Sequence, residues 1–242
     1  MTYKRNDDRR IISDDMLVSL PEPVQRYMQF SCVVGNPWIE TVRLEQTGTF
    51  RTGADRPWMP VTAVETYTTE PPTLAWDASF KFAGLPLIRV RDRYQSGEGQ
   101  MLGKLAGFYT IFDAQGEELA QASMLRYLNE VMWFPTAFLG ENMSWEAIDN
   151  RSARVTFTDY GRSVSADIFF AEDGRMINFK ALRYRETDGK FSLDRWSTPL
   201  TEYGERGGLK IPVRGQAVWN LESGDLPYAD LLIGKVEYNS VL

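Results

Sequence analysis

The chain contains no histidine and only one cysteine, Cys32. The lack of histidine excludes Ser-His-Asp and Cys-His nucleophile systems, histidine general bases, and His-ligated zinc or iron. A single cysteine excludes an internal disulfide and a cysteine-cluster metal site. With no histidine to activate it, we expect Cys32 to be a buried, inert thiol. The sequence therefore predicts neither a metal nor a cofactor.

Basic charge and long apolar runs are also scarce. Lys and Arg number 27 against 33 Asp and Glu, which leaves a net charge of −6. This balance argues against nucleic acid as a partner, because phosphate-backbone binding needs a basic face. The first apolar run, residues 16–20, is too short for a signal-peptide core or a membrane span. We therefore expect a cytoplasmic protein without a transmembrane segment.

Alternation of apolar and polar residues with a period of two dominates the chain and predicts about a dozen strands. Short Gly- and Asp-containing turns separate them, which favours antiparallel pairing. Two helices are predicted, one after residues 20–23 and one over 117–133. The second is apolar almost all round, so it should be embedded against the sheet. The predicted fold is α+β and mostly antiparallel β: a large curled sheet, or half-barrel, enclosing one or two helices. We expect a single domain over 1–242, with 1–15 as a flexible arm.

The strand over 87–94 places a carboxylate on an apolar face. Arg89, Arg91 and Arg93 point to one side, and Asp92 and Tyr94 to the other. Asp92 is then an acid–base group or ligand anchor in a cavity, one half of a structural ion pair, or a residue on a face that is simply exposed to solvent.

Four further charged residues are candidates for the site. Arg126 and Glu130 are spaced i,i+4, so their side chains meet on the second helix, facing either solvent or a cavity. Glu65 and Arg183 share strand faces with apolar neighbours and are candidate partners for these charges. Trp76, Phe80 and Trp133 are candidates for lining an apolar or aromatic ligand site, although aromatic side chains are more often simply core.

Several blocks of the sequence resemble an uncharacterised bacterial family of about this length, a domain of unknown function. The blocks are 20–27 (LPEPVQRY), 91–94 (RDRY), 97–101 (GEGQM), 126–130 (RYLNE) with Trp133 and Pro135, 145–149 (WEAID), and 210–212 (KIP) followed by Trp219. The resemblance implies a fold similar to the lipoprotein-carrier half-barrels, in which a curled antiparallel sheet encloses helices and an apolar cavity.

These features are compatible with three hypotheses. Two of them assign a function to the protein, and the third assigns it no ligand. In the first, the half-barrel binds an apolar or aromatic small molecule for cofactor-independent acid–base chemistry of the lyase or isomerase type. Asp92 or Glu130 would move the proton, Arg126 would stabilise negative charge, and Tyr94 would donate a hydrogen bond. In the second, the protein is a non-catalytic lipid or lipoprotein-type carrier, and these charges are structural ion pairs. In the third, the aromatic residues fill the core and leave no cavity.

Overall fold

A computed structural model describes residues 10–82, 84–187 and 189–242. Residues 1–9 of the predicted arm lie outside this part of the chain. The arm's described residues, 10–15, pack against the body of the protein. The Ile12 side chain is buried, and its backbone N–H donates to the carbonyl oxygen of Asn36 at 2.9 Å.

Two α-helices are present where the sequence predicts them: α1 over Glu22–Phe30 and α2 over Glu117–Glu130. Pro23 in the first turn suits α1, because the first helical N–H groups have no intrahelical acceptor. Two acidic residues, Glu117 and Glu118, begin α2, where the helix dipole favours negative charge. Short 3₁₀ helices cover Asp14–Leu17, Val131–Trp133 and Pro135–Leu139. No helix in the described ranges is long and apolar enough to cross a membrane.

The end of α1 explains why the expectation for Cys32 is wrong. Cys32 is exposed, with a φ of 59°. Its N–H donates to the carbonyl of Gln29, and the N–H of Val33 donates to the carbonyl of Met28. This is a Schellman motif, in which the left-handed residue directs its side chain outward while the flanking apolar residues pack inward.

Fourteen strands form one antiparallel sheet in the described part of the chain. Their order is β6-β5-β4-β3-β2-β1-β14-β13-β11-β10-β9-β8-β7, and β12 pairs with β13. Their bounds are β1 Thr41–Phe50, β2 Met59–Thr69, β3 Pro72–Phe82, β4 Leu85–Gln95, β5 Glu98–Leu105, β6 Tyr109–Gln115, β7 Met143–Asp149, β8 Ser152–Asp159, β9 Arg162–Phe170, β10 Met176–Thr187, β11 Lys190–Ser197, β12 Leu200–Arg206, β13 Leu209–Leu221 and β14 Gly224–Tyr238.

The sheet curls around α2 and confirms the predicted half-barrel. Register shifts interrupt several strand pairs, among them β1–β14, β13–β14 and β9–β10. Such bulges bend a strand and increase its twist, so the sheet curves instead of lying flat. The concave side holds α2, of whose fourteen residues ten are buried. The nearly all-apolar helix therefore has the environment that its sequence requires.

Helix α2 lies very close to β5 at Gly99. A Cβ built on Gly99 would lie 2.8 Å from the carbonyl oxygen of Leu119 and 2.8 Å from Oγ of Ser123. Both atoms belong to α2, one of them to its backbone. The glycine thus allows the helix to seat against the sheet.

We predict that Gly99→Ala destabilises the protein by about 1–3 kcal/mol, because the added methyl group overpacks this contact. Urea unfolding measures the change. Gly53→Ala is the control, because a Cβ there has no neighbour nearer than the flexible Arg56 side chain at 3.4 Å. Equal stability of the two variants would show that the contact does not limit packing.

Candidate functional site

A cavity of about 430 Å³ lies between α2, the following 3₁₀ helix and the concave face of the sheet. Its size falls within the range of about 300–1,000 Å³ typical of small-molecule sites. Most of its wall is apolar or aromatic. The apolar and aromatic lining residues include Phe50, Met59, Trp76, Phe80, Ile88, Val90, Met101, Ile111, Phe112, Met132, Trp133, Trp196, Leu200, Ala217, Tyr228 and Leu231.

One guanidinium and three carboxylates form a cluster at this wall, which Arg126, Asp92 and Glu130 line, whereas Glu65 is not among the lining residues. Arg126 on α2 donates from Nε to Oε1 of Glu130 at 2.8 Å, which is the predicted i,i+4 pair. Its Nη1 donates to Oδ2 of Asp92 on β4 at 2.7 Å, and its Nη2 to Oε1 of Glu65 on β2 at 2.8 Å. All three carboxylates are buried. The cluster therefore fastens the helix to two strands of the sheet.

A second set of side chains holds the carboxylates and the guanidinium in place. Gln46 donates from Nε2 to Oε2 of Glu65 at 2.8 Å, and it accepts from Nε1 of Trp76 at 2.8 Å. The Trp76 ring also lies under the guanidinium of Arg126, with Cζ 4.8 Å from the ring centroid. Such a cation–π contact strengthens when it is desolvated. The hydroxyl of Tyr67 donates to Oε2 of Glu130 at 3.1 Å.

The cluster carries a formal charge of −2 when all four groups are ionised. Burial raises the pKa of Glu65 well above its ordinary value, and the charge of Glu130 raises it further against the opposing effect of Arg126. Burial also raises the pKa of Glu130, although Arg126 acts to lower it. Burial alone would lower the pKa of Arg126, but the carboxylates more than offset this effect and raise it. The guanidinium thus stays charged, and the glutamates hold protons more tightly than in water.

One atom of the cluster is left without a partner. Oδ1 of Asp92 is buried and accepts no hydrogen bond from any group in the described part of the chain. Asp92 is among the residues that line the cavity, and a buried polar atom without a partner is rare in proteins. The centre of the carboxylates is already filled by Arg126, and no group of acidic or cysteine side chains in the described ranges is suited to hold a metal ion.

The remaining predicted residues fall into two groups. Phe80, Trp133 and Arg183 line the same cavity as Asp92, Arg126 and Glu130. Tyr94 is on the same strand face as Asp92, but its hydroxyl donates to Asp159 on β8 and does not reach the cluster. Burial and this hydrogen bond raise the pKa of Tyr94.

Arg183 does not join the carboxylates. Its Nε donates to the carbonyl of Ala122 at 3.2 Å and its Nη1 to the hydroxyl of Tyr228 at 3.1 Å. Its Cζ lies 4.7 Å from the ring centroid of Trp196. Asp194, opposite Arg183 in the β10–β11 ladder, instead accepts from Arg185. Arg183 is therefore held in the cavity wall by aromatic rings and neutral oxygens.

Sequence reasoning did not assign Tyr67 and Gln46 to the site. Both had a usable signal, because each is a hydrogen-bonding side chain on a strand face that otherwise reads as apolar. Gln46 follows Val42 and Leu44 on β1, and Tyr67 follows Glu65 on β2. A buried polar side chain needs a partner, so each pointed to other polar groups inside the half-barrel.

The chain belongs to DUF6544, a family of unknown function. The family's model matches residues 10–231. No curated protein matches the sequence. The match to the family model confirms the predicted resemblance to an uncharacterised family.

Two solved structures share the fold of this DUF6544 protein. One is a DUF1329 family protein from Desulfovibrio piger, 9% identical, with a TM-score of 0.51 over 91% of this chain and 92% of that one. The other, from Vibrio parahaemolyticus, is assigned by name to outer membrane lipoprotein sorting. It is 8% identical, with a TM-score of 0.50 over 91% of this chain and 92% of that one. At these identities the likeness establishes the half-barrel fold.

We predict that Arg126→Met destabilises the protein by about 3–5 kcal/mol at neutral pH, because it leaves three buried carboxylates without their cation. Urea unfolding measures the loss. The control is Arg154→Met, which removes the partner of Asp167 at the surface and should leave stability almost unchanged. Similar losses in both variants would contradict a special role for the buried cluster.

We also predict that the free energy of unfolding falls as the pH rises from about 5 to about 8. Because the folded-state pKa values of Glu65 and Glu130 are raised, the folded protein binds more protons than the unfolded chain in this range. Stability is then greatest at the acidic end and is lost as these groups ionise.

Urea unfolding at a series of pH values measures this dependence. Glu130→Gln should make the free energy of unfolding depend less on pH, because it removes one group with a raised pKa and the charge that further raises the pKa of Glu65. Glu146→Gln, at an exposed position on β7, should keep the wild-type slope. If Glu130→Gln and wild type have the same slope, the glutamates do not titrate as described.

Proposed function

We propose that this protein is a non-catalytic carrier that binds a hydrophobic small molecule or lipid chain in its half-barrel. The observation that carries the proposal is the cavity of about 430 Å³, whose wall is mostly apolar and aromatic. Removing apolar surface from water contributes about 25 cal/mol per Å², so an apolar ligand would gain most of its binding free energy from this wall. The structural neighbour named for lipoprotein sorting supports the same function.

The polar part of the wall supports a ligand with one hydrogen-bonding end. The unpartnered Oδ1 of Asp92 is suited to accept from a hydroxyl or amine of the ligand. Arg183 offers N–H donors beyond those it gives to Ala122 and Tyr228. These groups would orient the molecule, while the aromatic wall would supply the affinity.

Acid–base catalysis is a second candidate, favoured by the same oxygen of Asp92. In this function Asp92 or Glu130 moves a proton on the bound molecule, and Arg126 stabilises negative charge. Three of the five N–H groups of Arg126 already donate to carboxylates. The hydroxyl of Tyr94 donates to Asp159, so it does not serve as the hydrogen-bond donor of this site. The hydroxyl that contacts the cluster is that of Tyr67, which donates to Glu130.

One experiment distinguishes the two functions. Purified protein is incubated with a bacterial metabolite and lipid extract, separated from it, and extracted with organic solvent for mass spectrometry. For a carrier, we predict that a hydrophobic compound is recovered unchanged from the protein. For an enzyme, a compound disappears and a new mass appears with wild type but not with the Asp92→Asn/Glu130→Gln variant.

A variant that fills the cavity, compared with a matched control variant, tests the carrier function further. Ala217→Phe places a ring in the cavity wall and should reduce the recovered ligand at least tenfold, because little volume remains for it. Ala147→Phe makes the same change at an exposed position on β7, outside the cavity, and should retain the ligand. Equal recovery from both variants, or no compound recovered from wild type, would contradict the carrier function.

A further inference from the structure

Two neighbouring hairpin turns repeat one short sequence pattern. Residues 81–85 read KFAGL between β3 and β4, and residues 104–108 read KLAGF between β5 and β6. Strand β4 pairs with both β3 and β5, with Ile88 opposite Leu105. The two turns therefore lie side by side at one end of the sheet, and in the sequence each has a lysine, an apolar residue, Ala-Gly and a second apolar residue.

The apolar side chains of these turns are exposed to solvent. Phe108 is 81% exposed, Tyr109 65%, Leu85 59% and Phe82 58%. The connection between β1 and β2 lies at the same end and adds Trp58, which is 40% exposed. Exposed apolar side chains grouped in this way mark a site of contact with a membrane or with another protein.

Three connections at this end of the sheet carry a charge opposite to that of the chain as a whole, whereas the neighbouring β13–β14 turn carries Glu222 and Asp225. The three connections, 51–58, 81–89 and 104–109, contain five cationic residues and one acidic residue, although the net charge of the protein is −6. The cationic residues are Arg51, Arg56, Lys81, Arg89 and Lys104. Aromatic and aliphatic side chains beside Lys and Arg match the interface of a bilayer with anionic headgroups.

The ligand cavity reaches this same end of the sheet. Phe50, Met59, Phe80, Ile88 and Ile111 line it, and each lies within a few residues of one of the three connections. A surface that held the hairpin turns would therefore lie beside the cavity.

We propose that these hairpin turns insert into the interface of an anionic lipid bilayer and place the cavity next to the membrane. The lysines contact the headgroups, and the side chains of Phe82, Leu85, Phe108 and Tyr109 enter the boundary between headgroups and acyl chains. A hydrophobic ligand could then pass between bilayer and cavity. That last step rests on the proposed carrier function, whereas membrane binding itself does not.

Co-sedimentation with lipid vesicles tests this proposal. Wild type should bind vesicles of phosphatidylcholine mixed with phosphatidylglycerol, bind pure phosphatidylcholine much more weakly, and be released by salt. Each lysine is worth on the order of fivefold in partitioning. Lys81→Glu/Lys104→Glu should thus lower binding more than about 25-fold, and Leu85→Ser/Phe108→Ser should abolish it.

The control variant is Ile148→Ser/Tyr160→Ser, which removes two exposed apolar side chains away from the turns and should bind as wild type does. Circular dichroism establishes that the variants are folded. The proposal is overturned if wild type does not bind anionic vesicles at low salt, or if the turn variants bind equally well. A dimer that the turn substitutions dissociate, without vesicle binding, would also overturn it and assign this surface to a second copy of the chain.

The turn variants should still yield extractable ligand, because none of the substituted side chains lines the cavity. This readout separates the two proposals. Vesicle binding without any bound ligand would leave the membrane surface in place and contradict the carrier function alone. Bound ligand without vesicle binding would support the carrier function and contradict the membrane surface alone.

Discussion

The architecture depends on the burial of one guanidinium inside a β half-barrel. A charged group taken out of water is costly unless its hydrogen-bonding groups are satisfied and its charge is balanced. Arg126 meets this requirement by bonding to Glu65 on β2, Asp92 on β4 and Glu130 on its own helix. Each bond also sets the position of one element relative to another, so the cluster places α2 on the concave face of the sheet.

The excess of carboxylates gives the cluster a chemical character of its own. Three acids around one base leave negative charge in a buried region. Burial raises the pKa of both glutamates, and the charge of Glu130 raises that of Glu65 further. The excess of carboxylates also leaves an oxygen of Asp92 with no donor. The ion pairs that fasten the helix thus also place Asp92, Arg126 and Glu130 in the cavity wall.

The two inward-facing arginines differ in what surrounds them. Arg126 is neutralised by carboxylates, whereas Arg183 is held by the Trp196 ring and by neutral oxygens. A bound molecule would therefore meet an acid-rich surface around Asp92 and a cationic group at Arg183, with aromatic wall elsewhere. This distribution suits a ligand that is mostly apolar and polar at one end. The structural neighbours share the half-barrel fold at 8–9% identity.

The sequence alone determined the strands, the two helices and the enclosing half-barrel, because these follow from local periodicity and turn chemistry. It also identified Asp92 and Glu65 as carboxylates on apolar strand faces, and Arg126 and Glu130 as an i,i+4 pair on the second helix. It could not pair them, since Glu65 and Arg126 are 61 residues apart and their contact depends on how the sheet curls. The contacts of Tyr94 with Asp159 and of Arg183 with Trp196 depend on the same curvature, so they could not be read from the sequence. Alternation tells which face a side chain occupies, but the bulges that bend the sheet decide what that face meets.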